Sequence, residues 1–274
     1  MEHERRKVRT SRARFLASVA MTAIFAAGLG GCQTMSDITG SISPKTSASA
    51  EPDARQAVEV TGERYRADPK NAEAALAYGQ ALRAAGQRSQ AAAMLEQATI
   101  AHPGNKELLA AYGRALVDNG NFQQALDVLG RAHSPDNPDW RILSVQGTAL
   151  DQLGRHDEAR RYYASALKIA PDEPTVLSNL GLSYVLSKDL PKAEEALRRA
   201  YASARADARV RQNLALVIGL QGRFAEAEQI VRADLPPDEA AANVAYLKQM
   251  LNRKEDPRIG SAGKMPVASL NRPE

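Results

Sequence analysis

Between Ala72 and Ala241 the apolar residues recur at helical spacing, in stretches of three or four turns punctuated by glycine or proline. The stretch from Trp140 to Leu153 places Leu143, Gly147 and Leu150 on one face, and Gly154 breaks it. Asp157 and Glu158 then suit the electropositive start of a second helix. That helix carries Ala159, Tyr163 and Ala166 on one face and stops at Pro171. The pattern predicts units of two short amphipathic helices, helix A and helix B.

The unit repeats. Gly79, Gly113, Gly147 and Gly181 follow one another at intervals of 34 residues. Gly86, Gly120, Gly154 and Gly222 form a second ladder in which Lys188 fills the missing rung. Alanines keep step at Ala91, Ala125, Ala159, Ala193 and Ala227, and again at Ala98, Ala132, Ala166 and Ala200. A fixed period of this length marks a repeat array, and 34 is the value of the tetratricopeptide (TPR) repeat. The expected fold is therefore all-α, a TPR superhelical solenoid of helix-turn-helix repeats. Glycine inside a helix costs about 1 kcal/mol against alanine. Its recurrence at one phase implies that helix B approaches helix A where a Cβ does not fit. Leucine at 147 is expected to force the helices apart, and alanine to be tolerated far better.

Five full repeats are expected at Ala72–Asn105, Lys106–Asp139, Trp140–Glu173, Pro174–Asp207 and Ala208–Ala241. The fifth departs from the pattern, with Ala215 at the helix A glycine and Asp234 at the late helix B alanine, as terminal repeats often do. Residues 53–71 read as a leading helix ending at Asp68-Pro69. Asp238–Leu251 reads as a last helix, of which 242–252 lies beyond the repeats as a cap. Residues 253–274, polar with three prolines, are expected to be disordered.

Charge changes the picture only at the N-terminus. Of 36 basic and 32 acidic groups, six and two lie in residues 1–31, so the remainder carries 30 of each. A neutral repeat region gives no argument for nucleic acid. The basic stretch Met1–Arg14 precedes a 15-residue apolar run, Phe15–Leu29. That is shorter than the roughly 20 residues of a membrane span and fits a signal peptide over 1–31. Leu29-Gly30-Gly31-Cys32 resembles the bacterial lipobox, which implies acylation of Cys32 as the first residue of the mature chain. Residues 32–52, rich in Ser, Thr, Ala and Pro, read as a disordered linker reaching roughly 25 Å. Cys32 is the single cysteine, so no internal disulfide is expected. The residue after it is Gln33 rather than aspartate, which by analogy with lipoproteins favours the outer membrane.

Catalytic chemistry is not expected. The chain has no Gly-x-Ser-x-Gly, phosphate loop or His-x-x-x-His, and neither a metal nor another cofactor is implied. His102 and His133 fall near helix B ends, and His156 takes the phase of Phe122, Leu190 and Phe224. Glu194-Glu195 and Arg198-Arg199 read as a solvated face. The concave side formed by the A helices is the expected site, a groove for a protein segment rather than a small molecule. In the fourth and fifth repeats its register includes Ser178, Asn179, Leu182, Val185, Leu186, Arg209, Gln212, Asn213, Leu216 and Leu220. Asn179 and Asn213 are 34 apart, and their amides could hold an extended backbone. They could equally satisfy neighbouring helices. Ser144 and Thr148, one repeat earlier, stand where TPR domains that clamp a terminal carboxylate carry basic residues.

One family resemblance is closer. Asn179-Leu180-Gly181-Leu182-Ser183, Arg211-Gln212-Asn213-Leu214-Ala215-Leu216, Gly219-Leu220-Gln221-Gly222, Asp234-Leu235-Pro236-Pro237 and Asn243-Val244-Ala245-Tyr246-Leu247 resemble the TadD family. These are the TPR lipoproteins of Flp, or tight-adherence, pilus assembly. The resemblance implies a lipid anchor at the periplasmic face of the outer membrane. It also implies a protein partner, the pilus secretin or another assembly component. The alternative is a TPR lipoprotein of another envelope process, polysaccharide export or outer-membrane protein assembly.

Overall fold

The computed structural model describes residues 50–255, with side chains over 53–252. The expected signal peptide, Cys32 and the tail beyond 255 lie outside the described residues. Twelve helices follow in order: α1 (Ala50–Ala67), α2 (Ala72–Ala84), α3 (Arg88–Ala101), α4 (Lys106–Asp118), α5 (Phe122–Ala132) and α6 (Trp140–Gln152). Then come α7 (His156–Ile169), α8 (Pro174–Leu186), α9 (Leu190–Tyr201), α10 (Ala208–Leu220), α11 (Phe224–Val231) and α12 (Pro237–Glu255). Two expected boundaries move: α1 takes in residues 50–52 of the expected linker, and α12 starts before and ends after 242–252.

The even-numbered helices from α2 to α10 are the A helices, and each starts the same way. Asn71, Asn105, Asp139, Glu173 and Asp207 stand at their N-caps, and each side chain accepts backbone N–H bonds from the first turn. Such caps satisfy donors that the helix itself leaves open. Their ends are also alike. At the end of α2 the Gly86 N–H reaches the Arg83 carbonyl at 3.0 Å and the Gln87 N–H reaches the Leu82 carbonyl at 2.9 Å. The same paired bonds close α4, α6, α8 and α10. They require a left-handed residue, supplied by Gly86, Gly120, Gly154 and Gly222, and at the fourth rung by Lys188, with φ 62°.

The mid-helix glycines stand where helix B crosses helix A. A Cβ on Gly79 would lie 2.5 Å from Leu95, on Gly113 2.4 Å from Leu129, on Gly147 2.6 Å from Tyr163 and on Gly181 2.6 Å from Leu197. These large partners are themselves spaced by 34 and fully buried. At the fifth rung the partner shrinks to Val231 and the glycine becomes Ala215; both are buried in one cluster with Leu214, Val217 and Ile218.

Each helix packs on its sequence neighbours, and each A helix also touches the next A helix, while no backbone contact joins one B helix to the next. Closer spacing on the A side makes that side the concave one. At the front, α1 packs Val58 and Tyr65 on the core, with the Tyr65 and Tyr78 rings 5.7 Å apart. At the back, α12 closes on α10 and α11 through Ala240, Val244 and Leu247.

Polar groups join the repeats on the other side. Glu194 accepts hydrogen bonds from Gln221 and Arg223 of the next repeat as well as from Arg198. The segment 194–199 is therefore a bridge between repeats rather than merely a solvated face. Inside, Asp151 accepts from Tyr163 Oη at 3.0 Å and Ser183 Oγ at 2.8 Å and lies 2.9 Å from His156 Nδ1. His156 thus takes its apolar phase by bonding a buried carboxylate.

Candidate functional site

The concave face has two distinct halves. In the C-terminal half, α8 and α10 carry the residues expected to form the groove. Asn179 is half-buried, and its amide nitrogen donates to Ser144 Oγ at 3.1 Å. Asn213, 8% exposed, donates to Ser178 Oγ at 2.8 Å. Each amide therefore spends one of its two N–H donors on a hydroxyl one repeat back. Neither side-chain carbonyl has a hydrogen-bond partner among the described residues, so each keeps its acceptor.

The apolar members differ in access. Leu182, Val185, Leu186 and Leu220 are half-buried, Leu216 is buried, and Arg209 is exposed in the first turn of α10. Leu216 is covered by α12. With Gln212, Asn243, Val244 and Leu247 it lines a small hollow of about 20 Å³ between α10 and α12. Gly219 allows this, since a Cβ there would lie 2.4 Å from Leu247. The accessible strip thus comprises Leu182, Val185, Leu186, Leu220 and Arg209, flanked by the Asn179 acceptor.

In the N-terminal half lies a cavity of about 330 Å³ that reading the sequence missed. Leu76 and Gln80 come from α2, Ala110 and Arg114 from α4, and Ile142 from α6. The connection between α5 and α6 forms its rim with His133, Asn137 and Asp139. That connection is long because α5 ends at Ala132, and Ser134 and Asn137 close it by a single bridge. Burial lowers the Arg114 pKa, as do the charges of Arg83 and Arg141, while Asp139 raises it. The phase was present in the sequence: Arg114 stands two and three periods before Leu182 and Leu216.

No group of three or more His, Cys, Asp or Glu placed to hold a metal ion occurs among the described residues. No described helix is long and apolar enough to cross a membrane.

A stack of capped helix pairs with a concave A-helix face is a tetratricopeptide solenoid, a scaffold that binds proteins. Tetratricopeptide-repeat models match residues 82–147, 141–206 and 208–233. The described part of the chain is thus a TPR protein in sequence as well as in fold. No curated protein matches it in sequence. Among solved structures, PilW, a widely conserved type IV pilus biogenesis factor, is similar at TM-score 0.60 and 19% identity, covering 78% of this chain and 99% of its own. A thermophilic TPR protein of Thermus thermophilus, TTC0263, is similar at TM-score 0.58 and 22% identity, over 65% of this chain and 100% of its own. A chain of the APC/C hetero-tetramer Cut9-Hcn1 matches at TM-score 0.59 and 17% identity over 73% of this chain, which spans 40% of that longer one. At these identities the likeness is one of fold.

Proposed function

We propose that this protein is a lipid-anchored scaffold of the Flp pilus machine. It is held through Cys32 at the periplasmic face of the outer membrane. There it helps the secretin assemble or localise by binding a protein segment on its concave face.

The observation carrying this reading is the way the family-like runs come together. Arg211 donates to Asp234 through Nε at 2.7 Å and through a terminal nitrogen at 2.5 Å. This joins the Arg211–Leu216 run to Asp234-Leu235-Pro236-Pro237. Gln212 and Leu216 then share one hollow with Asn243, Val244 and Leu247. The family-like runs thus make one C-terminal unit, which supports reading them as a family feature. PilW offers a precedent for this fold in pilus biogenesis.

Photo-crosslinking from Leu182 in intact envelopes tests the partner. The expected product contains the pilus secretin or another pilus component; a product from polysaccharide export or outer-membrane protein assembly would move the protein to that process. Cys32→Ser is expected to abolish acyl labelling and release the chain from the membrane fraction. Retention of both would place the anchor elsewhere.

A further inference from the structure

The Arg114 guanidinium is half-buried in the cavity between the first three A helices and makes neither an ion pair nor a hydrogen bond among the described residues. Other described arginines are tied in ion pairs, and Arg83, close by, is tied to Asp118 at 2.7 Å. A second group in the same cavity is also unsatisfied: His133 Nδ1 is buried without a partner, while its Nε2 lies 3.2 Å from Gln146 Oε1. Buried polar groups are normally paired, and a desolvated cation lacking an anion is costly.

We propose that this cavity takes a glutamate side chain of an extended partner segment, its carboxylate received by Arg114. Leu76, Ala110 and Ile142 supply apolar wall for the methylenes, and the planar guanidinium matches a carboxylate in two parallel bonds. Lys106 and Arg141 add positive charge at the rim. Glu107 and Asp139 on the same rim oppose a polyanion such as nucleic acid or a phosphorylated chain, so a single negative charge is the better fit. A chain end would bring a backbone terminus against the apolar wall, whereas an internal glutamate brings only methylenes. An incoming carboxylate would also offset the burial and the Arg83 and Arg141 charges that lower the Arg114 pKa. The inference rests on the protein-binding part of the reading above and is independent of the pilus assignment.

Three pools of octapeptides test it against the full chain in detergent, with neutral residues at the varied positions. The first is blocked at both ends with glutamate fixed at the centre; the second has glutamine there. The third has central glutamine and a free terminal carboxylate. Titrations follow the Arg114 Nε–Hε resonance. The glutamate pool is expected to move it and to bind at least tenfold more tightly than either other pool. In Arg114→Gln the preference for glutamate over glutamine should vanish, while the thermal midpoint holds or rises because a half-buried charge without an ion pair is removed. Arg114→Lys should keep part of the preference and guards against misfolding of the glutamine variant. Equal binding of the glutamate and glutamine pools, or a preference surviving in Arg114→Gln, would overturn the proposal. Tighter binding of the free-terminus pool would also overturn it, in favour of a site for chain ends. None of these results depends on which partner the envelope crosslink captures, so the two readings fail separately.

Discussion

At residue scale, glycine in this molecule has two opposite meanings. The ideal Cβ of an alanine at 147 would stand 2.6–2.9 Å from three atoms of the Tyr163 ring. That ring cannot yield easily, since Tyr163 is 1% exposed and its hydroxyl is bonded to Asp151. Alanine is expected to be tolerated far better than leucine there, yet the fixed ring makes even alanine costly. Gly147→Ala should destabilise, because overpacking of about 1–3 kcal/mol exceeds a propensity gain of about 1 kcal/mol. Gly130, also helical, has nothing within 4 Å of its would-be Cβ. Gly130→Ala should stabilise by up to about 1 kcal/mol. Urea unfolding of the two variants checks both signs, and equal midpoints would refute the distinction. The tyrosines make a further prediction. Burial and then Glu96 push Tyr112 up to about 12, and burial and then Asp151 push Tyr163 up as well. An unfolded phenol ionises near 10, so the folded state favours the neutral form. The Tyr112 contribution is complete below about pH 10 and is lost as pH rises through about 12. Denaturation midpoints from pH 8 to 12 should fall in that window, and fall less steeply in Tyr112→Phe.

At the scale of the element, Lys188 occupies a position that its equivalents give to glycine. A side chain in the left-handed region costs roughly 1–2 kcal/mol, and glycine returns part of that through the freedom it restores to the unfolded chain. Lys188→Gly is expected to raise stability by about 0.5–1 kcal/mol, measured by thermal unfolding, without altering α8 or α9. This rung was legible in advance, because glycine is a conspicuous letter and its absence shows. The N-cap ladder at Asn71, Asn105, Asp139, Glu173 and Asp207 has the same period but was overlooked, since three residue types perform one task. The Glu194–Arg223 bridge could not be read at all, because long side chains choose partners by reach rather than by register. The cavity was half legible. Its phase is that of Leu182, but the rim comes from the α5–α6 connection, whose path no repeat rule dictates.

At the scale of the whole molecule, stability in a stack comes from each unit and its neighbours, so damage stays near its source. Leu247 is 8% exposed and carries the seal of α12 against Gly219. Leu247→Ala removes a buried leucine, a loss of about 2–5 kcal/mol where cavities do not collapse. Hydrogen exchange should quicken through α10, α11 and α12 while α2 to α6 keep their protection. Uniform acceleration would mean that the array unfolds as one block.

The amide–hydroxyl pairs set a rule for how the array can grow. The third repeat offers a hydroxyl at Ser144 with Val145 beside it, and the fifth offers an amide at Asn213 beside Gln212. The fourth carries both, at Ser178 and Asn179. A tandem duplication of residues 174–207 would therefore mate with itself, the new amide meeting the old hydroxyl, and lengthen the groove by one rung. A duplicated third repeat would instead set a valine against Ser144 and leave that hydroxyl unmatched. Of these two insertions, the copied fourth repeat should be the one that gains protein length without losing cooperativity.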